Sequence, residues 1–254
     1  MEIHIYKSTT DLITAIADFV VRTAQDSIAS RGEFNVVLSG GKSPEFLYEK
    51  LASPEYKKQV DWNKVNFFFG DERYVPVNDP QNNAKVAREL LFAPLNIPAS
   101  RIFAVDTSLP PDNAAEDYTA QIASHFGRKE SVFDLILLGL GDNAHTASLF
   151  PYTNVLNNQS VSAQSVFLKQ QNTYRITMTA PLINQARNIA FLVYGKAKAE
   201  AVHHVLESEY DPEQYPAQLI KPEHGNLQWY LDEDAASLLK DATRSRNWWY
   251  KNYN

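Results

Sequence analysis

The sequence contains no cysteine. A disulfide scaffold, a thiolate zinc site and a cysteine nucleophile are therefore all excluded. Glycine, with 9 residues, and proline, with 13, are too few for a fibrous or low-complexity chain. The longest apolar run is centred on residues 135–138, far short of the roughly 20 residues of a membrane span. We therefore expect a globular protein with no membrane partner.

The net charge and the N-terminal sequence argue against two further classes, nucleic-acid-binding and secreted proteins. The formal net charge of −6 argues against nucleic-acid binding, which needs a basic face, and an anionic ligand would need its own positive pocket. The N-terminus lacks the basic and apolar segments of a secretory signal, so we expect a cytoplasmic protein. No Pro/Gly/Ser-rich linker divides the chain. We expect residues 1–254 to form one domain, acting as a monomer or a weak homodimer.

Short apolar runs alternate with amphipathic stretches along most of the chain, which predicts an α/β fold. Four predicted strands are each followed by a loop that contains glycine: residues 34–38, 65–69, 133–138 and 188–193. Ligands in open α/β sheets bind beyond the carboxyl ends of the strands. These four loops therefore indicate where the functional site lies.

Other elements are predicted with less bearing on the site. They are strands at 3–6 and 227–231 and helices at 12–20, 83–91, 196–206 and 232–239. Thr10 or Asp11 is expected to cap the first helix, and Ser43 to cap a helix with Pro44 in its first position. The aromatic tail is expected to fold back onto the surface, with an interaction patch as the alternative; it holds Trp248, Trp249, Tyr250 and Tyr253.

The loop Ser39-Gly40-Gly41-Lys42-Ser43 has the composition of a phosphate site. Its glycines let backbone amides approach a ligand, hydroxyls flank them, and a helix N-terminus would add partial positive charge. A P-loop is excluded because that motif needs glycine at position 36, where this chain has Val36. A plain strand-to-helix turn would look similar, so both interpretations stay open.

The loop at 139–144 matches the G-x-G-x-x-A form of a dinucleotide fingerprint. That fingerprint expects an acidic residue about 20 positions further on, yet no Asp or Glu occurs from Asn143 to Ala199. A dehydrogenase is therefore disfavoured. The same span carries five basic residues: Lys169, Arg175, Arg187, Lys196 and Lys198. Lys196 and Lys198 follow the fourth strand and are placed to face the shared pocket.

His145 lies on the same loop, among small polar residues. A lone histidine is more often structural, but this position favours a general base. The histidines show no metal-ligand spacing and no serine lies in a G-x-S-x-G elbow, so we expect neither a metal nor an acyl-serine mechanism. Asp71 and Arg73 follow the second strand; they could form a local ion pair, or Arg73 could clamp an anion while Asp71 orients it or a substrate hydroxyl.

Taken in order, these segments resemble the 6-phosphogluconolactonases, within the group that includes glucosamine-6-phosphate isomerases and deaminases. The resemblance covers nearly the whole chain. It rests on residues 38–41 with Ser43-Pro44, 70–76, Asn82-Asn83, 139–141 with 145–151, 175–177, Gly195 with Lys198, and Trp229 with Asp232 and Ala235-Ala236.

The resemblance implies a Rossmann-like, mostly parallel sheet flanked by helices, with a small accessory portion. It implies hydrolysis of a phosphosugar lactone, 6-phospho-D-glucono-1,5-lactone, to 6-phosphogluconate in the oxidative pentose phosphate pathway, without metal or cofactor. Carried over, the loop at 39–43, Arg73 and Lys198 would hold the phosphate, and His145 would be the base. Lys198 is preferred to Lys196 because it lies three residues after Gly195, where the family has its lysine. Backbone amides or Arg175 would stabilise the oxyanion.

One departure from the family pattern concerns the residues before the histidine, Asp-Gly in the family but Asn143-Ala144 here. An amide can orient an imidazole but stabilises its charged form only weakly, so we expect activity to survive in reduced form, with Asp142 replacing the lost charge. We also expect the loop to avoid a positive φ at Ala144, because glycine alone tolerates that angle well.

Two other functions remain as alternatives. One is a glucosamine-6-phosphate isomerase or deaminase, whose pattern we expect to have Asp-Glu-Tyr where this chain has residues 71–73, and to lack the run at 145–151. The other is a non-catalytic sugar-phosphate-binding regulator, which Asn143 keeps possible. The chain has no recognisable helix-turn-helix or basic arm with which to act on DNA.

Overall fold

The computed structural model describes residues 1–127 and 130–244. The aromatic residues at 248–250 and 253, for which surface packing was predicted, lie outside the described residues.

A six-stranded parallel sheet forms the centre of the molecule. Its strands are β1 (Glu2–Tyr6), β2 (Phe34–Leu38), β3 (Val65–Phe69), β5 (Leu135–Leu138), β8 (Asn188–Val193) and β9 (Asn226–Asp232). They lie in the order β1-β9-β8-β5-β2-β3 across the sheet. Each predicted strand is present, and the largest difference in bounds is at β5, which begins two residues late. The α/β fold expected from the sequence is confirmed.

Helices connect the strands and cover both faces of the sheet. They are α1 (Thr9–Arg31), α2 (Glu45–Ala52), α3 (Asn83–Ala87), α4 (Ala93–Leu95), α5 (Pro111–Phe126), α6 (Ala180–Asn184), α7 (Ala199–Glu207) and α8 (Asp241–Arg244). Alternate residues of each strand enter separate apolar layers: Val37 and Ile136 pack on one face, Val36 and Leu135 on the other. Burial on both faces explains why these strands appear in the sequence as continuous apolar runs.

Both predicted helix caps were wrong. Ser8 caps α1, its side chain accepting a hydrogen bond from the Asp11 backbone N–H at 3.1 Å. Helix α2 begins at Glu45, with Pro44 in the capping position and no side-chain cap, so Ser43 does not cap it.

Three predicted helices differ in form. The helix at 83–91 continues from α3 through a π-helical turn, Arg88–Phe92, into α4. The helix predicted to begin at Lys196 starts with a 3-10 turn, Lys196–Lys198, before α7. Residues 233–238 form hydrogen-bonded turns rather than a helix, because the chain folds back on the Asp232 carboxylate, which accepts from the Ala235 N–H.

A second, antiparallel sheet was not predicted. It has the order β4-β7-β6, formed by β4 (Asp71–Arg73), β7 (Thr173–Met178) and β6 (Ala163–Leu168). Gly70 joins the two sheets, since its N–H donates to Leu38 O at 2.9 Å and its carbonyl accepts from the Met178 N–H at 2.8 Å. The chain thus passes from the end of β3 directly into the small sheet.

The carboxyl ends of β8, β5, β2 and β3 lie side by side, so the four glycine-containing loops meet at one edge of the main sheet. The chain runs from β2 to β3 on one side, and then to β5, β8 and β9 on the other. The crevice between β2 and β5 is therefore the topological switch point, where ligands of open α/β sheets bind. Among the described residues, no helix is long and apolar enough to cross a membrane.

Candidate functional site

A cavity of about 400 Å³ opens at this switch point. All the predicted site residues line it except Asn143: Ser39, Gly40, Gly41, Lys42, Ser43, Asp71, Arg73, His145, Arg175 and Lys198. A second cavity of about 330 Å³ adjoins it and shares Arg73, Arg175 and the loop at 39–42.

The loop after β2 is fixed by contacts to its backbone. Gly41 has φ +91°, a conformation that favours glycine. A Cβ on Gly40 would overlap the side chain of Asn83, so only glycine fits there. The Tyr48 hydroxyl donates to the carbonyl of Ser39 at 2.6 Å. The side chain of Lys42 is 92% exposed and pairs with Glu45 at 3.4 Å, which leaves it at the rim of the cavity.

Two arginines come from the small sheet. Arg73 and Arg175 are register partners on β4 and β7, so both guanidinium groups are carried by rigid strands. Arg73 Nη1 donates to Gln81 O at 2.8 Å, and Arg175 Nη2 donates to Gln171 Oε1 at 2.8 Å. Burial and the neighbouring Arg73 lower the pKa of Arg175. Two neighbouring positive charges favour an anion between them.

The imidazole of His145 is held on two sides. Its ring stacks on Phe150, with ring centroids 3.9 Å apart. Its Nδ1 lies 2.5 Å from Asn143 Oδ1, which also accepts from the His145 backbone N–H at 3.3 Å. A Cβ on Gly141 would overlap the imidazole, so this glycine is what makes room for the ring.

These contacts decide the tautomer of His145. An amide oxygen only accepts hydrogen bonds, so Nδ1 carries the proton and Nε2 keeps its lone pair. Burial, followed by the nearby Lys198, lowers the pKa of His145 to about 4, while Asp142 acts in the opposite direction. At neutral pH the imidazole is therefore uncharged and able to accept a proton at Nε2.

The expectation that Ala144 would avoid a positive φ was wrong. Its φ is +60°, which costs an alanine roughly 1–2 kcal/mol. The loop holds it there because the Ala144 N–H donates to Gly141 O at 2.9 Å and its carbonyl accepts from the Ala217 N–H at 3.0 Å. Ala144 is 1% exposed and lies within the core, and this burial offsets part of the strain.

Lys198 lines the cavity, whereas Lys196 is exposed and lies outside its wall. Lys198 Nζ lies 2.5 Å from Asp142 Oδ1. Asp142 thus contacts Lys198, while Asn143 contacts the histidine. Among residues 1–127 and 130–244, no group of three or more His, Asp or Glu side chains could hold a metal ion.

Comparison with known proteins identifies the family of the chain. The family model of glucosamine-6-phosphate isomerases/6-phosphogluconolactonase matches residues 7–229. The chain belongs to this family.

Individual relatives agree with that assignment. A 6-phosphogluconolactonase of Synechocystis is 40% identical, over 84% of this chain and 88% of the relative. One from Nostoc is 36% identical, over 93% and 98%. The solved structure of the 6-phosphogluconolactonase from Trypanosoma brucei superposes with a TM-score of 0.83 at 28% identity, covering 94% of this chain and 98% of that one.

In this member of the family, two polar contacts in the cavity were not anticipated from the sequence. Ser148 Oγ donates to Asp71 Oδ2 at 2.6 Å, and the Ser148 N–H donates to Thr177 Oγ1 at 3.1 Å. Gln171, the partner of Arg175, lies on the turn between β6 and β7. Ser148 and Thr177 belong to segments that carry the family resemblance, but Gln171 had no sequence signal because its hairpin was not predicted.

Proposed function

We propose that this chain hydrolyses 6-phospho-D-glucono-1,5-lactone to 6-phosphogluconate, the activity for which its relatives are named. The observation that carries the proposal is that a neutral His145, with Nε2 available, lines the same cavity as the loop at 39–43, Arg73 and Lys198. A base and an anion site in the same cavity suit a substrate with a phosphate at one end and an ester at the other.

The phosphate end binds at the loop after β2. Backbone amides at Gly40 and Gly41 can approach the phosphate oxygens, and Arg73 and Lys198 supply positive charge. Lys198 exchanges its partner Asp142 for the substrate phosphate. Binding energy gained far from the lactone carbonyl then positions C1 beside His145.

The chemical step is a base-assisted hydrolysis. Nε2 of His145 takes a proton from water as the water oxygen forms a bond to C1. The tetrahedral intermediate carries its negative charge on the former carbonyl oxygen, where Arg175 or backbone amides stabilise it. The bond from C1 to the ring oxygen breaks, and the imidazolium returns its proton to that oxygen. The product is the open-chain acid, and His145 is neutral again.

Asn143 and Asp71 assist without exchanging protons. Asn143 holds the Nδ1–H tautomer of His145. Asp71 is fixed by Ser148 at 2.6 Å, and its carboxylate accepts a hydrogen bond from a substrate hydroxyl. The proposed hydrolysis requires neither a metal nor an organic cofactor, so EDTA treatment followed by gel filtration should leave turnover unchanged.

We further propose a cytoplasmic monomer or weak homodimer with no nucleic-acid partner. Sedimentation would test the oligomeric state, and DNA-binding assays would test the absence of a nucleic-acid partner.

The alternative within the family is turnover of glucosamine 6-phosphate. Arg73 and the run at 145–151 favour the lactonase. The isomerase pattern is expected to have tyrosine at position 73 and to lack the run at 145–151. A regulator without chemistry would keep the phosphate site but would not need the ordered pair Asn143 and His145.

A coupled assay of lactone disappearance against glucosamine 6-phosphate turnover separates these functions. We expect lactonase activity in the wild type and a loss of about 10²–10⁴-fold in His145→Ala, with 6-phosphogluconate affinity largely retained. His224→Ala, an exposed histidine away from the cavity, serves as the matched control and should keep full turnover. A fully active His145→Ala variant would remove His145 from the mechanism, and binding without turnover of either substrate would favour the regulator.

A further inference from the structure

Glu72 is a buried carboxylate between two residues of the site, and the mechanism above does not use it. It is 0% exposed, and among the described residues it forms no salt bridge with a lysine, arginine or histidine. Burial raises the pKa of Glu72 to about 7 even though hydrogen bonds from the backbone act against the shift. A buried acid that forms no salt bridge is costly, so its contacts call for an explanation.

Three backbone N–H groups converge on this carboxylate. Oε1 accepts from the Arg73 N–H at 2.8 Å and from the Asn83 N–H at 2.7 Å, and Oε2 accepts from the Ala84 N–H at 3.0 Å. The first donor lies on β4 and the other two lie at the start of α3. Glu72 therefore fastens the first turn of α3 to the strand that carries Arg73.

Asn83 extends this connection into the cavity. Its Nδ2 donates to the carbonyl of Asp71 at 2.9 Å. Its side chain occupies the space that a Cβ on Gly40 would take, so it packs directly against the loop after β2. A further bond joins β4 to the loop that leads to α3, since Arg73 Nη1 donates to Gln81 O.

We propose that Glu72 is a positioning residue for the anion site, holding Arg73 through its own backbone and the Gly40 loop through Asn83. The carboxylate contacts no substrate. It sets the spacing between the guanidinium group and the loop amides, which must match the oxygens of one phosphate. This inference rests on the proposed function only for the identity of the phosphosugar, because it concerns anion binding rather than hydrolysis.

The test measures affinity for inorganic phosphate and for 6-phosphogluconate by calorimetry at about pH 8, above the pKa of Glu72. In Glu72→Gln an NH₂ group replaces one carboxylate oxygen and faces a backbone N–H, so a hydrogen bond is lost. We expect both dissociation constants to rise by about tenfold or more, the equivalent of one lost hydrogen bond. KM for the lactone should rise while kcat changes less, since His145 and Asn143 are untouched.

Asp134→Asn is the control for the loss of a buried carboxylate away from the anion site. Asp134 is also buried and accepts a backbone N–H, from Asn35 at 2.8 Å, but it lies before β5, at the opposite edge of the sheet. Both variants should unfold at a lower temperature, and only Glu72→Gln should bind phosphate more weakly. Unchanged phosphate affinity in a destabilised Glu72→Gln variant would overturn the proposal and leave Glu72 as a structural residue.

A second pair of variants applies even where Glu72→Gln fails to fold. Asn83→Ala removes the contact with the Gly40 loop and should weaken phosphate binding by about tenfold. Asn82→Ala removes the cap of the same helix, a bond from the Lys85 N–H at 2.9 Å, and should lower stability without changing affinity. Equal affinities in the two variants would contradict the proposal. A wild type that binds phosphate but hydrolyses no lactone would contradict the proposed function alone, and one that binds neither anion would overturn both.

Discussion

Asn143 Oδ1 lies 2.5 Å from Nδ1 of His145 and fixes which imidazole nitrogen carries the proton. In serine proteases, replacing the orienting aspartate by asparagine costs about 10⁴ in rate because the wrong tautomer results. Here the amide oxygen, and not the amide nitrogen, faces the ring, since the same oxygen accepts from the His145 backbone N–H. The amide therefore supplies orientation and lacks only the negative charge.

Asn143→Asp should therefore give a modest gain in kcat, of less than about tenfold, the scale of one charge interaction at a partly exposed site. The new carboxylate would stabilise the imidazolium that forms as water is deprotonated. Asn143→Leu should lose far more, because no acceptor then selects the Nδ1–H tautomer. Steady-state lactone hydrolysis, corrected for the spontaneous rate, measures both. A gain of several hundredfold in Asn143→Asp would mean that the wild-type tautomer is not the one described.

The burial of His145 and the charges around it predict its pKa. Burial and Lys198 lower its pKa to about 4, so at neutral pH the imidazole is uncharged and able to act as a base. An NMR titration of the ring Cε1–H should place the His145 midpoint near pH 4, with tryptophan fluorescence reporting that the fold is intact. Lys198→Met should move the midpoint upward, because it removes the largest charge effect. A wild-type midpoint near the ordinary value of about 6.5 would contradict this account.

The main sheet could be predicted because its strands are buried on both faces and appear as apolar runs. The small sheet could not, and β4 shows why. Its residues, Asp71 to Arg73, are all charged, and no hydrophobic period marks them as a strand. The strand forms by pairing with β7, and the buried Glu72 carboxylate joins it to N–H groups of α3. Sequence spacing displays neither of these contacts between segments.

The loop that carries His145 shows a second limit of sequence reasoning. Alanine seldom adopts a positive φ, so the sequence argued against the observed conformation of Ala144. Hydrogen bonds to Gly141 and Ala217 impose that conformation, and the second of these partners lies more than seventy residues away along the chain. Tertiary contacts decided the backbone angle against the local preference.

Gly141→Ala tests the space reserved for the imidazole. The added Cβ would overlap the His145 ring, so the ring must leave its position against Phe150 and Asn143. We expect kcat to fall by at least about tenfold, since small displacements of a catalytic group are costly, with little change in phosphosugar affinity. Gly70→Ala is the control, because its Cβ meets only Val37 and Leu38 atoms, at 3.6 and 3.7 Å. Equal turnover in the two variants would show that Gly141 is not needed for the ring position.

Arg73→Met and Lys42→Met separate two cations of the predicted phosphate site. Arg73 lines both adjoining cavities and is anchored by Gln81 O at 2.8 Å. Lys42 is 92% exposed and pairs with Glu45, so its charge is screened by solvent and by its partner. Removal of Arg73 should weaken 6-phosphogluconate binding by about 10–100-fold, the loss of a charge-assisted contact. Removal of Lys42 should change the dissociation constant by less than about threefold. Calorimetric titration at low and high salt measures both, and a larger loss in Lys42→Met than in Arg73→Met would move the phosphate from the inner wall of the cavity to its rim.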